Sequence, residues 1–164
     1  MEHLYAPWRR EYVTGERIDG CVFCHISKNS NLDDKHQVLF RDKDCFIVTN
    51  KYPYTPAHFM IIPHKHTDAI EDLDEKVWLK MTKYARISVK MLKENFSAKG
   101  VNIGMNLGEV AGAGIAEHVH LHIVPRWSRD TNFITTISNA RVYSTDFEEI
   151  YKKLKKLIPK YIDE

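Results

Sequence analysis

Three histidines, His118, His120 and His122, recur at every second position and alternate with Val119, Leu121 and Ile123. A period of two belongs to a β-strand, so the spacing predicts a strand over His118–Val124 with its imidazoles on one face, about 6.6 Å apart, and an apolar opposite face. Packing does not call for this pattern. A buried imidazole needs a hydrogen-bond partner, and three in register describe a polar site rather than a core. A neutral imidazole carries a nitrogen lone pair that can attack an electrophile, take a proton or hold a metal. Cys21 and Cys24 give a second signal, because the C-x-x-C spacing supplies half of a tetrahedral zinc site and leaves two sulfur or imidazole ligands to come from elsewhere. A reduced pair without metal fits the same spacing. Between Asn106 and Glu117 the chain carries Gly108, Gly112 and Gly114. Such a loop serves as a flexible connector or as a place where backbone N–H groups approach phosphate oxygens with no Cβ in the way.

Those side chains need a scaffold, and five segments have strand character: Val38–Phe40, Cys45–Thr49, His58–Ile62, Val101–Leu107 and His118–Val124. In the fourth, Val101, Ile103, Met105 and Leu107 alternate with Asn102, Gly104 and Asn106, which predicts a half-buried strand. From Asp74 to about Asn95, Val77, Met81, Tyr84, Ala85, Ser88, Met91 and Leu92 trace a helical stripe, with Lys99-Gly100 as the stop. A second helix opens on Thr145 and Glu148 as a capping box. Phe147, Ile150, Tyr151, Leu154, Leu157 and Ile158 form its apolar face, and Lys152, Lys153, Lys155 and Lys156 its solvated side. The class is α+β, an antiparallel sheet of about five strands with one long helix and a C-terminal helix packed on it.

The 164 residues suffice for one domain with a core, and 43% hydrophobic with 28% charged residues excludes a disordered chain. A net charge of +2 gives no field for a nucleic-acid partner. The apolar runs are far shorter than the ~20 residues of a membrane span, and no apolar leader core is seen, so a cytoplasmic protein is expected. Three cysteines make no disulfide framework, and Cys45 sits in an apolar run as a small core residue. His3 and His36 read as surface residues.

His118-Val119-His120-Leu121-His122-Ile123-Val124, preceded by Asn106, Gly108 and Ala111-Gly112, resembles the signature of the histidine-triad (HIT) family of nucleotide hydrolases and transferases. Ala6-Pro7-Trp8-Arg9, Cys21-Val22-Phe23-Cys24, Pro56-Ala57-His58, Ile62-Pro63-His64-Lys65-His66, Pro125-Arg126-Trp127 and Asn132-Phe133 extend the likeness over nearly the whole chain, toward the bacterial branch acting on dinucleoside polyphosphates. The resemblance implies a HIT-like fold and a single domain over 1–164, with a zinc-binding segment about 1–36, a catalytic core about 37–127 and a C-terminal extension about 128–164. It makes His120 the nucleophile that attacks the α-phosphorus and forms a nucleotidyl-histidine, with His122 bonding phosphate or leaving-group oxygens and His58 in support. The resemblance likewise implies that Asn50 holds the ribose, that Asn106 helps bind the α-phosphate, and that Gly112 and Gly114 belong to the nucleotide-binding loop. The resemblance points to His66 and His118 as completing the zinc set with Cys21 and Cys24, His64 competing with His66, and His25 standing less well placed. Four protein ligands leave no open position, so that zinc is structural. A homodimer is implied. Some branches carry Gln or Ser between Gly112 and His118, where this chain has Ala113, Gly114, Ile115 and Ala116, so water and inorganic phosphate both stay open as acceptor. A phosphoramidate hydrolase and a non-catalytic nucleotide sensor are the other readings.

Overall fold

The structure is a computed structural model that describes residues 19–128, 130, 137 and 146–163. His3, Ala6–Arg9, Asn132-Phe133 and Thr145 lie outside the described residues. The elements follow as α1 (Val22–Lys28), β1 (Val38–Arg41), β2 (Cys45–Thr49), β3 (Phe59–Pro63), α2 (Glu75–Phe96), β4 (Gly100–Gly104), β5 (Leu121–Arg126) and α3 (Phe147–Asp163). The strands form one antiparallel sheet in the order β1-β2-β3-β5-β4, so β4 occupies an edge and β5 returns between it and β3.

Alternation gives the sheet two differently covered faces. Leu39, Ile47, Ile61, Leu121 and Ile123 point to one side, where Met81, Met91 and Leu92 of α2 and Leu154 and Ile158 of α3 close the main core. Each such side chain contributes about 1.5–3 kcal/mol when fully buried. Asp74 caps α2 by accepting the Lys76 N–H at 2.8 Å. The helix ends at Phe96, within one residue of the expected Asn95, but the stop is Ser97 rather than Lys99-Gly100: Ser97 takes the left-handed conformation and Ala98 N–H returns to the Leu92 carbonyl, while Gly100 already opens β4. At α3 the cap is Asp146, whose carboxylate accepts the Glu148 N–H at 2.8 Å. The lysine face of α3 is not wholly solvated: Lys155 Nζ donates to the Val38 carbonyl at 2.5 Å, and Lys153 sits 4.4 Å over the Phe96 ring.

The opposite face carries a smaller cluster of Phe23, Ile26, Val38, Phe46, Val48, Met60 and Ile62, covered by α1. No helix is legible here from residue pattern alone, because seven residues are too few to show a periodicity. Tertiary contacts hold it. Arg41 donates to the Ser27 and Ile26 carbonyls at 3.0 and 3.1 Å and to Asp33 at 2.9 Å, placing a cation where a helix C-terminus leaves carbonyls unsatisfied.

Four of the five strands differ from the expected bounds: β1 runs on to Arg41 and β3 spans Phe59–Pro63, each a shift of one residue, and the larger shifts fall in β4 and β5. β4 stops at Gly104, and the face expected to be half-buried is open, with Ile103 46% and Leu107 43% exposed. β5 begins at Leu121, not His118, since the chain leaves the ladder before that point and Val119 N–H bonds to the Thr67 carbonyl at 2.8 Å.

Candidate functional site

On the face covered by α1, the three histidines divide between two tasks, because each ring meets a different backbone partner. His118 is fully buried and its Nε2–H donates to the Pro63 carbonyl at 2.9 Å. The proton is thereby fixed on Nε2, and the Nδ1 lone pair faces Cys21 Sγ at 3.3 Å and Cys24 Sγ at 3.7 Å. His66 Nδ1 lies 3.2 Å from Cys24 Sγ. The ligand atoms of Cys21, Cys24, His66 and His118 all lie within 4.8 Å of one another, so this group can hold a metal ion. Zinc takes such atoms at about 2.0–2.3 Å, and a two-sulfur, two-nitrogen set suits it, so small inward movements close the cluster. Burial and the adjacent Cys21 raise the Cys24 thiol above its ordinary value, so metal binding there displaces a proton.

His64 is spoken for elsewhere. Its Nε2–H donates to the Asp42 carbonyl at 2.9 Å and its Nδ1 receives the Ser27 hydroxyl at 2.7 Å, tying the β3 end to α1. His25 packs edge-on against His36 at 5.4 Å, away from the cysteines. His36 is half-buried rather than on the surface, and its Nε2 finds no hydrogen-bond partner among the described residues.

His120 points the other way round. Its Nδ1–H donates to the His118 carbonyl at 2.8 Å, which leaves the Nε2 lone pair unprotonated. Burial pushes its pKa below the usual histidine value, opposed by that hydrogen bond. Phe23 of α1 packs on both rings, 5.6 Å from His118 and 5.1 Å from His120, and so links the metal cluster to the lone pair. Neither motif nor spacing drew attention to Phe23 beyond its place between the cysteines.

A second relay orients His122. The Tyr54 backbone N–H donates to His58 Nδ1 at 3.1 Å, so the His58 proton sits on Nε2 and is given to His122 Nδ1 at 2.9 Å. The remaining His122 proton is then on Nε2. The rings of His120 and His122 stand 4.9 Å apart, and the Tyr54 ring lies 4.8 Å from His58 and 5.9 Å from His122. Tyr54 had been read only as part of a turn. Asn50 Nδ2 stands 3.4 Å from His58 Nε2, and its Oδ1 accepts the Tyr52 N–H at 2.9 Å, a turn-capping bond. Asn106 reaches the Gly112 carbonyl at 3.2 Å. Gly112 has φ +89°, a conformation that favours glycine, whereas a Cβ at Gly114 would meet nothing within 4 Å.

Burial and neighbouring imidazoles lower His58 to about 3, and burial with His120 nearby lowers His122 to about 4. Protonating His122 would place an N–H on the Nδ1 that must accept from His58. Activity is therefore expected to persist below the ordinary imidazole value of about 6.5 and to fall toward about 4, read as the acid limb of kcat/KM. Stability has the same sign. The folded state binds fewer protons than the unfolded state between these values, so stability is full above about 6.5 and declines as pH drops. An acid limb at or above 6.5 would contradict the arrangement.

The chain is 37% identical over 151 residues to the AP-4-A phosphorylase of Mycobacterium tuberculosis, covering 87% of this chain and 76% of that one. It is 32% identical over 94 residues to the bis(5'-nucleosyl)-tetraphosphatase [asymmetrical] of Schizosaccharomyces pombe, 57% of this chain and 51% of that one. Its fold is similar to the crystal structure of a zinc-bound histidine triad family protein from Mycobacterium smegmatis, with a TM-score of 0.70 and 26% identity over 88% of this chain and 96% of that one. Residues 31–129, the stretch from the approach to β1 through the three histidines, match the HIT domain, and the chain belongs to that family.

Proposed function

We propose that the protein is a nucleotidyl hydrolase or phosphorylase that cleaves dinucleoside polyphosphates at the α-phosphate through a covalent intermediate on His120. The observation that carries this reading is the fixed tautomer of His120, with Nδ1–H donated to a main-chain carbonyl and the Nε2 lone pair left to attack. The Nε2–phosphorus bond forms as the bond from phosphorus to the bridging oxygen breaks, and the nucleoside polyphosphate departs with that electron pair. His122 Nε2–H supplies a hydrogen bond to the phosphate or leaving oxygen, held in place by the Tyr54–His58 relay. Water or inorganic phosphate then attacks the same phosphorus and releases Nε2. Asn50 holds the ribose, Asn106 the α-phosphate, and the Gly112–Gly114 loop lies against the phosphates.

Zinc fits the Cys21, Cys24, His66 and His118 set as a structural ion, since four protein ligands leave no coordination position for substrate. Bound there, it supplies cross-linking between α1 and the chain entering β5, while the chemistry belongs to His120. A single domain over 1–164 with the subdivisions given above, a homodimer and a cytoplasmic location belong to the same reading. Support for the dimer comes from the exposed β4 edge and a cavity of about 660 Å³ between β4 and α2, lined by Trp78, Val89, Ile103 and Leu107. No helix among the described residues is long and apolar enough to cross a membrane.

Incubation with diadenosine tetraphosphate, with and without inorganic phosphate, tests the proposal through its products. AMP plus ATP identifies water as the acceptor, and ADP plus ATP that depends on added phosphate identifies phosphorolysis. Symmetrical cleavage to two ADP in the absence of phosphate excludes attack at the α-phosphorus.

A further inference from the structure

Thr55 lies in the turn between β2 and β3 with 2% of its surface exposed, and its hydroxyl donates to the Pro125 carbonyl of β5 at 2.9 Å. We infer that this contact makes Thr55 a positioning residue. It holds the turn so that the Tyr54 N–H fixes the His58 proton on Nε2, and with it the proton that His122 offers to substrate. The consequence for rate rests on the proposed attack by His120 with His122 as donor; the effect on the imidazoles does not.

The sheet leaves an opening for this contact. The β3–β5 ladder ends at the pair Phe59–Ile123, so the Pro125 carbonyl lies beyond it and is taken by the Thr55 hydroxyl instead of a strand N–H. A buried carbonyl without a donor is costly, which keeps the hydroxyl in place. The turn is also tied to itself: His58 N–H donates to the Thr55 carbonyl at 3.2 Å, and Asn50 N–H to the His58 carbonyl at 3.0 Å. Between Thr55 and His58, the buried Ala57 has φ +59°, a left-handed conformation that a residue with a Cβ keeps only where its surroundings impose it. The turn is therefore clamped on β5 at one end and on the start of β3 at the other.

Two donors compete for His58. The Tyr54 N–H, 3.1 Å from Nδ1, favours the ring with its proton on Nε2, whereas the Asn50 amide Nδ2, 3.4 Å from Nε2, favours the ring with its proton on Nδ1. Only the first ring donates to His122 Nδ1, 2.9 Å away. In the second, lone pairs face each other until the His122 proton moves to Nδ1, and His122 Nε2 then has no N–H for a phosphate or leaving oxygen. His58 is buried, so bulk water does not stand in for the Tyr54 N–H. Tyr54 is the neighbour of Thr55 in the chain, and release of the hydroxyl from Pro125 frees the N–H that decides between the two rings.

Heteronuclear NMR of the imidazole nitrogens in the substrate-free protein tests the clamp, because protonated and unprotonated ring nitrogens resonate far apart. The wild type is expected to carry Nε2–H on both His58 and His122. Thr55→Val removes the donor at similar volume and should give a mixture of tautomers at both rings, and Thr55→Ser, which keeps a hydroxyl, a single tautomer again. With about a tenth of the chains in the productive form, kcat for diadenosine tetraphosphate falls about tenfold at nearly unchanged KM, and Thr55→Ser recovers most of it. Thr55→Ala, with room for a water at the Pro125 carbonyl, replaces Thr55→Val should that variant not fold. Nδ1–H on His58 or His122 in the wild type overturns the clamp, as do wild-type tautomers in the variant that lacks the hydroxyl. Mixed tautomers in that variant, in a protein whose wild type does not cleave the dinucleotide, leave the clamp standing and overturn the proposed function.

Discussion

His120→Ala is expected to reduce kcat by at least about 10³-fold while nucleotide affinity changes little. The reason is the division of labour among the histidines. His120 carries the unprotonated Nε2, whereas the groups proposed to grip phosphate and ribose, His122, Asn106 and Asn50, are oriented by contacts that do not pass through the His120 ring. The small cavity left beside Phe23 costs stability, so the variant's melting temperature and its affinity for AMP are measured alongside the rate. Rapid quench of the wild type during turnover of a radiolabelled dinucleotide should yield a nucleotidyl adduct that is acid-labile and stable to alkali, as a phosphorus–nitrogen bond is. A His120→Ala protein free of contaminating phosphatase that keeps more than a few per cent of wild-type kcat removes covalent histidine catalysis and leaves the sensor reading.

The second large effect concerns the metal cluster. Protein purified without chelator is expected to hold about one zinc ion per chain by elemental analysis, and Cys24→Ser to lose most of it. Structural zinc in small fingers contributes about 10–16 kcal/mol, but here the main core between the sheet and α2 and α3 forms without any of the four ligands, so only the docking of α1 depends on the ion. A loss of about 3 kcal/mol lowers the melting temperature of a chain this size by about 6–12 °C. The effect on kcat should be smaller than the effect on stability, because the proposed metal site connects to His120 through Phe23 and the His118 carbonyl. Full zinc loss with an unchanged melting temperature, or immediate loss of activity on chelation with the fold intact, contradicts a structural role.

The sequence by itself determined most of the scaffold and the inventory of reactive groups. Cys45–Thr49 was bounded to the residue, and the stripe of α2 was read correctly, because both obey periods that burial on one side imposes. Cys45 lies fully buried with its thiol pushed up to about 12 by burial, as its apolar run implied. The co-location of His118, His120 and His122 on one face followed from alternation alone, even though the ladder of β5 begins only at Leu121.

Tertiary structure decided what each imidazole does. Identical side chains two residues apart received opposite tautomers because the carbonyl of Pro63 meets His118 Nε2 while the carbonyl of His118 meets His120 Nδ1, and neither contact is encoded in spacing. The choice of His66 over His64 beside the cysteines likewise depends on where Ser27 and Asp42 stand, residues 37 and 22 positions away along the chain. α1 exists because Arg41 and the apolar row of Phe46, Val48 and Met60 receive it, and β4 lost its expected cover because no described element packs over Ile103 and Leu107. Local patterns record which way a side chain points; protonation, partner choice and the cover on each face depend on contacts that only the folded chain brings together.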